Sequence, residues 1–294
     1  LPGSEVLCHG DAKLDNFGWA LEDGTPLFSD SDFDDAGDCP AAADILHFLV
    51  STDLLFADPA LDTQALDAYI DTLASATNAV AIDPLSEPVW DDLRSKGVDK
   101  ATHGDALALG GEVVACTADE IAALDALVAA DTRFPSTLVD VARDIRTDGG
   151  SAGLRRYWLL VEDATHPRTI IELKELSKPG TEFGPHSMSF DGPGRFDMLK
   201  PFWWGTPALG DHFAVTLLGA SFVARDRFTR QNPDPTALTA AQRANVITAE
   251  ASLLAIKHAS AWLGDTSGLS VWLRDSAQTL VARWRQAYAV AGGM

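Results

Sequence analysis

Three residues near the start of the chain are of the types that move a phosphoryl group. Asp11 and Asn16 stand five apart in CHGDAKLDNFGW (8–19), and Asp32 follows in SDSDFDDAG (29–37). A carboxylate can orient or deprotonate an acceptor hydroxyl, while an amide oxygen and a second carboxylate are hard ligands suited to Mg²⁺. In protein kinases the catalytic Asp and the metal-binding Asn have this spacing, on one loop that follows a strand. The residues EVLC before His9 read as such a strand.

The tripeptide His9-Gly10-Asp11 means little alone. A second copy, His103-Gly104-Asp105, has Gly110 five residues on and no strand before it, so it reads as a loop coincidence. What sets the first copy apart is Asp32-Phe33-Asp34 one hairpin later. His9 is expected to pack and hydrogen-bond within the loop. Asp44, opening the next helical run, is expected to cap that helix or to tie the loop down through buried hydrogen bonds.

His9-Gly10-Asp11 with Asn16 and Asp32-Phe33-Asp34 resembles the aminoglycoside-phosphotransferase branch of the kinase-like superfamily. The longer run GDAKLDNFG, SDFDDAG and DILHFLVS is similar to a bacterial family of unknown function, DUF2252, whose members carry a GDxHxxNFG … NDFDE … D pattern. The similarity continues through GGSAGLRRYWLLVE, LKELS and IKHASAWLGD, over nearly the whole chain. Lys13 stands where that family has His, and Ser31 where it tends to have Asn. The resemblance implies a two-lobed, kinase-like α/β (α+β) fold. It also implies an ATP- and Mg²⁺-dependent phosphotransferase, with Mn²⁺ as a substitute metal, acting on a hydroxyl of a small-molecule acceptor. Asp11 would orient the acceptor, Lys13 would stabilise charge on the moving group, and Asn16 and Asp32 would hold the metal. A nucleotide-binding pseudokinase with a regulatory role and a kinase-like AMP transferase are the alternatives.

A nucleotide site of this kind also needs a glycine-rich loop over the phosphates and a strand lysine beside them. The candidates lie downstream of the catalytic loop. Gly149, Gly150, Ser151 and Gly153 precede a β-type run (157–161), and a second run (169–173), turned at His166–Pro167, ends in Lys174. Glycines let backbone N–H groups approach phosphate without a Cβ in the way. The order is that of a kinase fold circularly permuted, which places Lys174 across a cleft from Asp32. Residues 1–146 would form the catalytic-loop and metal-binding part of a helical lobe. Residues 147–235 would form the glycine-loop and strand lobe, and 236–294 the C-terminal helices packed on the core. Glu182 and Asp197 are candidate acidic partners of Lys174; Glu175 should face the other side of its strand. Arg155 and Arg156 could contact phosphate or line a solvated strand face.

The remaining elements follow from periodicity. A hairpin turned at 22–26 leads to a helical run from Cys39, with Ala43, Leu46, Val50 and Leu54 on one face. Further helices are predicted over 61–78, 117–130, 135–146, 239–263 and 269–291, with a strand-like patch at Phe213–Val223. Phe202, Trp203 and Trp204 read as core, and His258 as a satisfied buried histidine.

Bulk properties bound the rest. The chain of 294 residues carries 43 acidic and 22 basic side chains, for a net charge of −21. Such a field repels nucleic acid and anionic lipid, so binding to either would need a local basic patch; a nucleotide and a small-molecule acceptor are the partners that the resemblance implies. No apolar run approaches the length of a membrane span, and LPGSEVLC is not a signal peptide. The missing initial Met suggests that further residues precede Leu1. Three widely spaced cysteines, Cys8, Cys39 and Cys116, argue against a disulfide framework or a four-thiolate zinc site, and for a reducing, cytoplasmic setting.

Overall fold

The computed structural model describes residues 5–22, 24–30, 32–75, 85–147, 152–164, 168–177, 193–204, 212–261 and 266–290. Strand β1 (Glu5–Cys8) runs into the loop 9–16, and the hairpin β2 (Phe17–Glu22) and β3 (Thr25–Asp30) follows, turning through Gly24 at φ +71°. β4 (Gly37–Pro40) then returns to pair antiparallel with β1, Val6 opposite Cys39 and Cys8 opposite Gly37. The strand that enters the first loop therefore lies beside the strand that leaves the Asp32 loop.

This register joins Cys8 to Cys39 in a disulfide, with Cα atoms 5.7 Å apart across a sequence separation of 31. An odd number of widely spaced cysteines argues against a disulfide framework. The strand pairing overrides that spacing and leaves Cys116 as the free thiol. The cysteines accordingly give no support to a reducing compartment.

α1 (Ala41–Phe56) and α2 (Pro59–Ser75) follow, then α3 (Trp90–Ala101), which the sequence pattern had not suggested. The second His-Gly-Asp copy is a hairpin between β5 (Thr102–His103) and β6 (Ala106–Leu107), with Gly104 at φ +66° and exposed Asp105 ion-paired to Arg168. β7 (Val113–Ala115) leads into α4 (Ala118–Ala130), which opens with a capping box between Thr117 and Glu120. The segment predicted as a helix over 135–146 is instead strand β8 (Thr137–Asp144). Its β-branched residues Thr137, Val139 and Val141 alternate, and that period of two suits a pleated sheet.

β9 (Arg156–Glu162), β10 (Thr169–Glu175), β11 (His212–Leu217) and β12 (Ala220–Asp226) complete a six-stranded antiparallel sheet in the order β11-β12-β10-β9-β8-β7. A turn at Leu218-Gly219 splits the expected 213–223 patch into β11 and β12. Between β10 and β11 lies α5 (Pro193–Trp204). The boundary at 146/147 falls between two strands of this one sheet. One sheet face packs Tyr157, Leu159, Leu173 and Phe222 against Leu124 and Val128 of α4. The other packs Trp158, Leu160 and Ile170 with Val98 of α3. Two residues further along β10 that face turns charged, with Glu172 and Lys174, because side chains repeat every second residue.

β13 (Arg230–Gln231) joins the β2–β3 hairpin as a third strand, and α6 (Ala240–Ala261) and α7 (Ser267–Val290) close the chain. The main core packs α1, α2, α6 and α7 with β1 and with Phe196, Leu199, Trp203 and Trp204 of α5. The architecture is mixed α and β, with antiparallel sheets. Among the described residues no helix is long and apolar enough to cross a membrane.

Glu250 on α6 is among the buried residues that break the apolar pattern: it is 0% exposed, and neither carboxylate oxygen has a hydrogen-bond partner among the described residues. Burial, reinforced by the charge on Asp15, pushes its carboxyl well above the ordinary 4.5. Folding therefore takes up a proton at this site, so its cost is absent below pH 4.5 and grows as pH rises toward the folded-state value. Glu250→Gln should be more stable than the parent at pH 8 and no more stable at pH 4, the gap widening by up to about 1.4 kcal/mol per pH unit. Denaturant unfolding across pH 4–9 measures it, and a pH-independent difference would contradict the assignment.

Candidate functional site

The first loop is held by one carboxylate. Asp44 Oδ2 accepts a hydrogen bond from the His9 N–H at 2.7 Å, and Oδ1 accepts from the Gly10 N–H at 3.1 Å. His258 Nε2 lies 3.1 Å from Asp44 Oδ2, and its Nδ1 lies 2.7 Å from the Tyr69 hydroxyl. An ionised Asp44 can only accept, so His258 Nε2 donates to it. Burial opposes the charge on Asp44, but the bond from His258 holds its carboxyl below the ordinary range. α1, α2 and α6 thus converge on two backbone N–H groups. Gly10 is required there: at φ +83° a Cβ would sit 2.1 Å from the Asp35 carbonyl oxygen. His9 is wedged between Phe17 and Trp203, and its Nδ1 accepts from the Asp11 N–H at 3.3 Å.

Asp11 and Asn16 face one another across the loop. The Asn16 amide nitrogen donates to both Asp11 Oδ2 and the Asp11 carbonyl at 2.8 Å, and Lys13 Nζ reaches Asp11 Oδ2 at 2.8 Å. With its nitrogen spent on Asp11, Asn16 has its carbonyl oxygen left as a ligand atom. His47 Nε2 lies 3.8 Å from Asp11 Oδ1.

Lys174 comes from the six-stranded sheet, 142 residues away, yet its ammonium donates to Asp32 Oδ1 at 2.9 Å and Oδ2 at 3.1 Å. It also meets Asp34 at 3.0 Å. Burial disfavours the charge on Asp32, but Lys174 and then Arg225 hold its carboxyl well below the ordinary range. Asp34 is pushed up to about 6, by burial and by the neighbouring Asp32 charge. Among the described residues, the acids that meet Lys174 are those of the Asp32 loop. Asp197 on α5 interacts electrostatically with Arg133 and Lys200 instead. Glu175 pairs with Arg155, as its place on the other strand face requires. Glu182, Ser31, Gly149, Gly150 and Ser151 lie outside the described residues. Gly153 is exposed at φ +79°, where its N–H donates to the Arg146 carbonyl and closes the β8–β9 connection.

A cavity of about 320 Å³ opens between these parts, lined by Asp11, Lys13, Asn16, Asp32, Asp34 and Lys174 among others. Leu154, one residue after Gly153, is also in its wall. Two further wall residues, Arg156 and Arg225, are organised by Glu172, which sequence reasoning missed. Glu172 is buried and receives Arg225 (2.6 Å), Arg156 (3.3 Å) and Arg227 (2.5 Å). Burial opposes its charge, but the arginines hold its carboxyl down at about 2. The signal was present: Glu172 is two residues from Lys174 on the same face, and RDRFTR (225–230) is a dense basic run. Cys8, Asp44 and His258 also bring ligand atoms within 4.8 Å of one another. The disulfide takes the thiol and the loop N–H groups take the carboxylate, so this trio serves structure.

No protein-family model matches the chain, and no characterised protein or solved structure matches it significantly.

Glu172→Gln would leave three guanidinium groups facing one another without their counter-ion. The loss should be about 3 kcal/mol of stability at neutral pH. Because the folded carboxyl titrates at about 2 against an ordinary 4.5, the stabilisation is complete above pH 4.5 and fades as pH falls to 2. Urea unfolding of both chains should show the gap closing over that interval; a gap that persists at pH 2 would contradict the ion-pair origin.

Proposed function

We propose that the chain is an ATP- and Mg²⁺-dependent phosphotransferase, of the DUF2252 and aminoglycoside-phosphotransferase type, that acts on the hydroxyl of a small molecule. The observation that carries this reading is the direct meeting of Lys174 with Asp32 and Asp34. A kinase site needs a strand lysine and a metal-binding aspartate on opposite walls of one cleft. The succession of elements supports a permuted kinase-like fold as well. A glycine-bearing connection joins β8 to β9, the lysine sits on the next strand, β10, and helix α5 follows.

The donor set fits a hard divalent cation: an amide oxygen from Asn16 and a carboxylate from Asp32, with Asp34 beside it. Mg·ATP, when bound, supplies the γ-phosphoryl group and the charge neutralisation of the metal. Every other contribution comes from the chain. Asp11 Oδ1, the oxygen not engaged by Lys13 and Asn16, would accept the hydrogen bond of the acceptor hydroxyl and take its proton as that oxygen bonds to the γ-phosphorus and the bond to the β–γ bridging oxygen breaks, releasing ADP. Lys13 lies beside Asp11, where its ammonium offsets charge on the transferring group. Burial opposes the charge on Lys13, but the hydrogen bond to Asp11 and nearby aspartates raise its pKa, so it stays protonated. With nucleotide and metal bound, Lys174 would contact phosphate oxygens and Asp32 would hold the metal.

Asp11→Ala should bind Mg·ADP within about threefold of the parent and lose phosphoryl transfer by about 10³-fold or more. Calorimetry and a [γ-³²P]ATP transfer assay against a hydroxyl-compound panel measure the two. Near-normal turnover in Asp11→Ala would refute the assignment. Label carried only from α-labelled ATP would identify AMP transfer, and nucleotide binding without any turnover a pseudokinase.

A further inference from the structure

Among the described residues, the cations that line the cavity are matched to acids with one exception. Lys13 pairs with Asp11, Lys174 with Asp32 and Asp34, and Arg156 and Arg225 with Glu172. Arg230 also lines the cavity, and its side chain makes no ion pair or hydrogen bond to any described residue. Its Nε is buried without a partner. A guanidinium held partly out of water with no acceptor is costly, and that cost is relieved when an anion arrives.

The backbone fixes where this charge points. Arg230 lies on β13 opposite Ala20 of β2, the strand that begins directly after Asn16. Gly18 packs so closely on this segment that a Cβ there would come within 2.5 Å of the Gln231 carbonyl oxygen. The Asn232 amide donates to the Asp15 carbonyl and ties the end of β13 to the catalytic loop. Arg230 therefore stands on the same rigid support as Asp11 and Asn16, and not on the sheet that carries Lys174.

We infer that Arg230 receives an oxyanion of the bound ligand, a phosphate or carboxylate, through a charge-assisted and potentially bidentate contact. Two sources share that chemistry: an acidic group on the acceptor, or the terminal phosphate of the nucleotide. The inference deepens the phosphotransferase reading and rests on it for the identity of the ligand, but anion capture by Arg230 is testable without turnover.

The test uses the full chain, Arg230→Ala and Arg230→Gln, with folding checked by circular dichroism. Thermal shift is read with inorganic phosphate, and binding of Mg·ADP and Mg·ATP by calorimetry. Phosphate should raise the midpoint of the parent, because binding to the folded state stabilises it, and should lose affinity by about tenfold or more in both variants. If Mg·ADP and Mg·ATP binding are unchanged in the variants, the oxyanion belongs to the acceptor. If only Mg·ATP weakens, it is the terminal phosphate. No phosphate effect in the parent, or an equal effect in the parent and both variants, overturns the inference. Phosphate binding through Arg230 in a chain that binds no nucleotide would sink the phosphotransferase reading and leave this one standing.

Discussion

One ammonium group joins the two halves of this site. Lys174 Nζ sits within 3.1 Å of both Asp32 and Asp34, and nothing else polar on β10 reaches that loop so directly. Lys174 is only 7% exposed, so its charge persists because two carboxylates face it. The carboxylates in turn divide the strain of sharing one cation: Asp32 is held ionised and Asp34 is driven toward protonation. Glu172 and its arginines are carried to the cleft by the same strand, β10, and its neighbours.

The opposite wall is built to a different principle. There a single buried carboxylate, Asp44, gathers backbone N–H groups and a histidine from α6, while a disulfide joins the two strands that frame the loops. Backbone donors fix geometry more tightly than long side chains, which lose more freedom on ordering. The loop 9–16 is thus preset by backbone donors, whereas the Lys174 junction rests on side-chain ion pairs alone.

Much of the site was legible because its chemistry is local. Asp11, Asn16, Asp32 and Asp44 lie within one short stretch, and the spacing of loop, hairpin and helix constrains them directly. Lys174 was legible through its place after a glycine-bearing turn. Glu172 left only a weak trace, its place two residues from Lys174 on one strand face, because a charged residue in a strand reads as solvent-facing until partners on β9 and β12 are known. Arg225 and Arg227 carry no periodic signal, and their role appears only with the strand order. The disulfide was hidden for the same reason: register, not sequence spacing, sets the distance between Cys8 and Cys39. The misread segment at 135–146 failed where alternating β-branched residues competed with helix-compatible Ala, Arg and Asp, and sheet pairing decided it.

The central claim is that Lys174 and Asp32 are energetically coupled across the cleft. A double-mutant cycle with Lys174→Met, Asp32→Asn and the combined variant, read by urea unfolding at pH 7 without ligand, isolates that coupling. The account predicts a favourable interaction of about 1.5 kcal/mol or more, as expected for a largely buried, hydrogen-bonded pair. A coupling below about 0.5 kcal/mol, the level at which distant sites are additive, would contradict it.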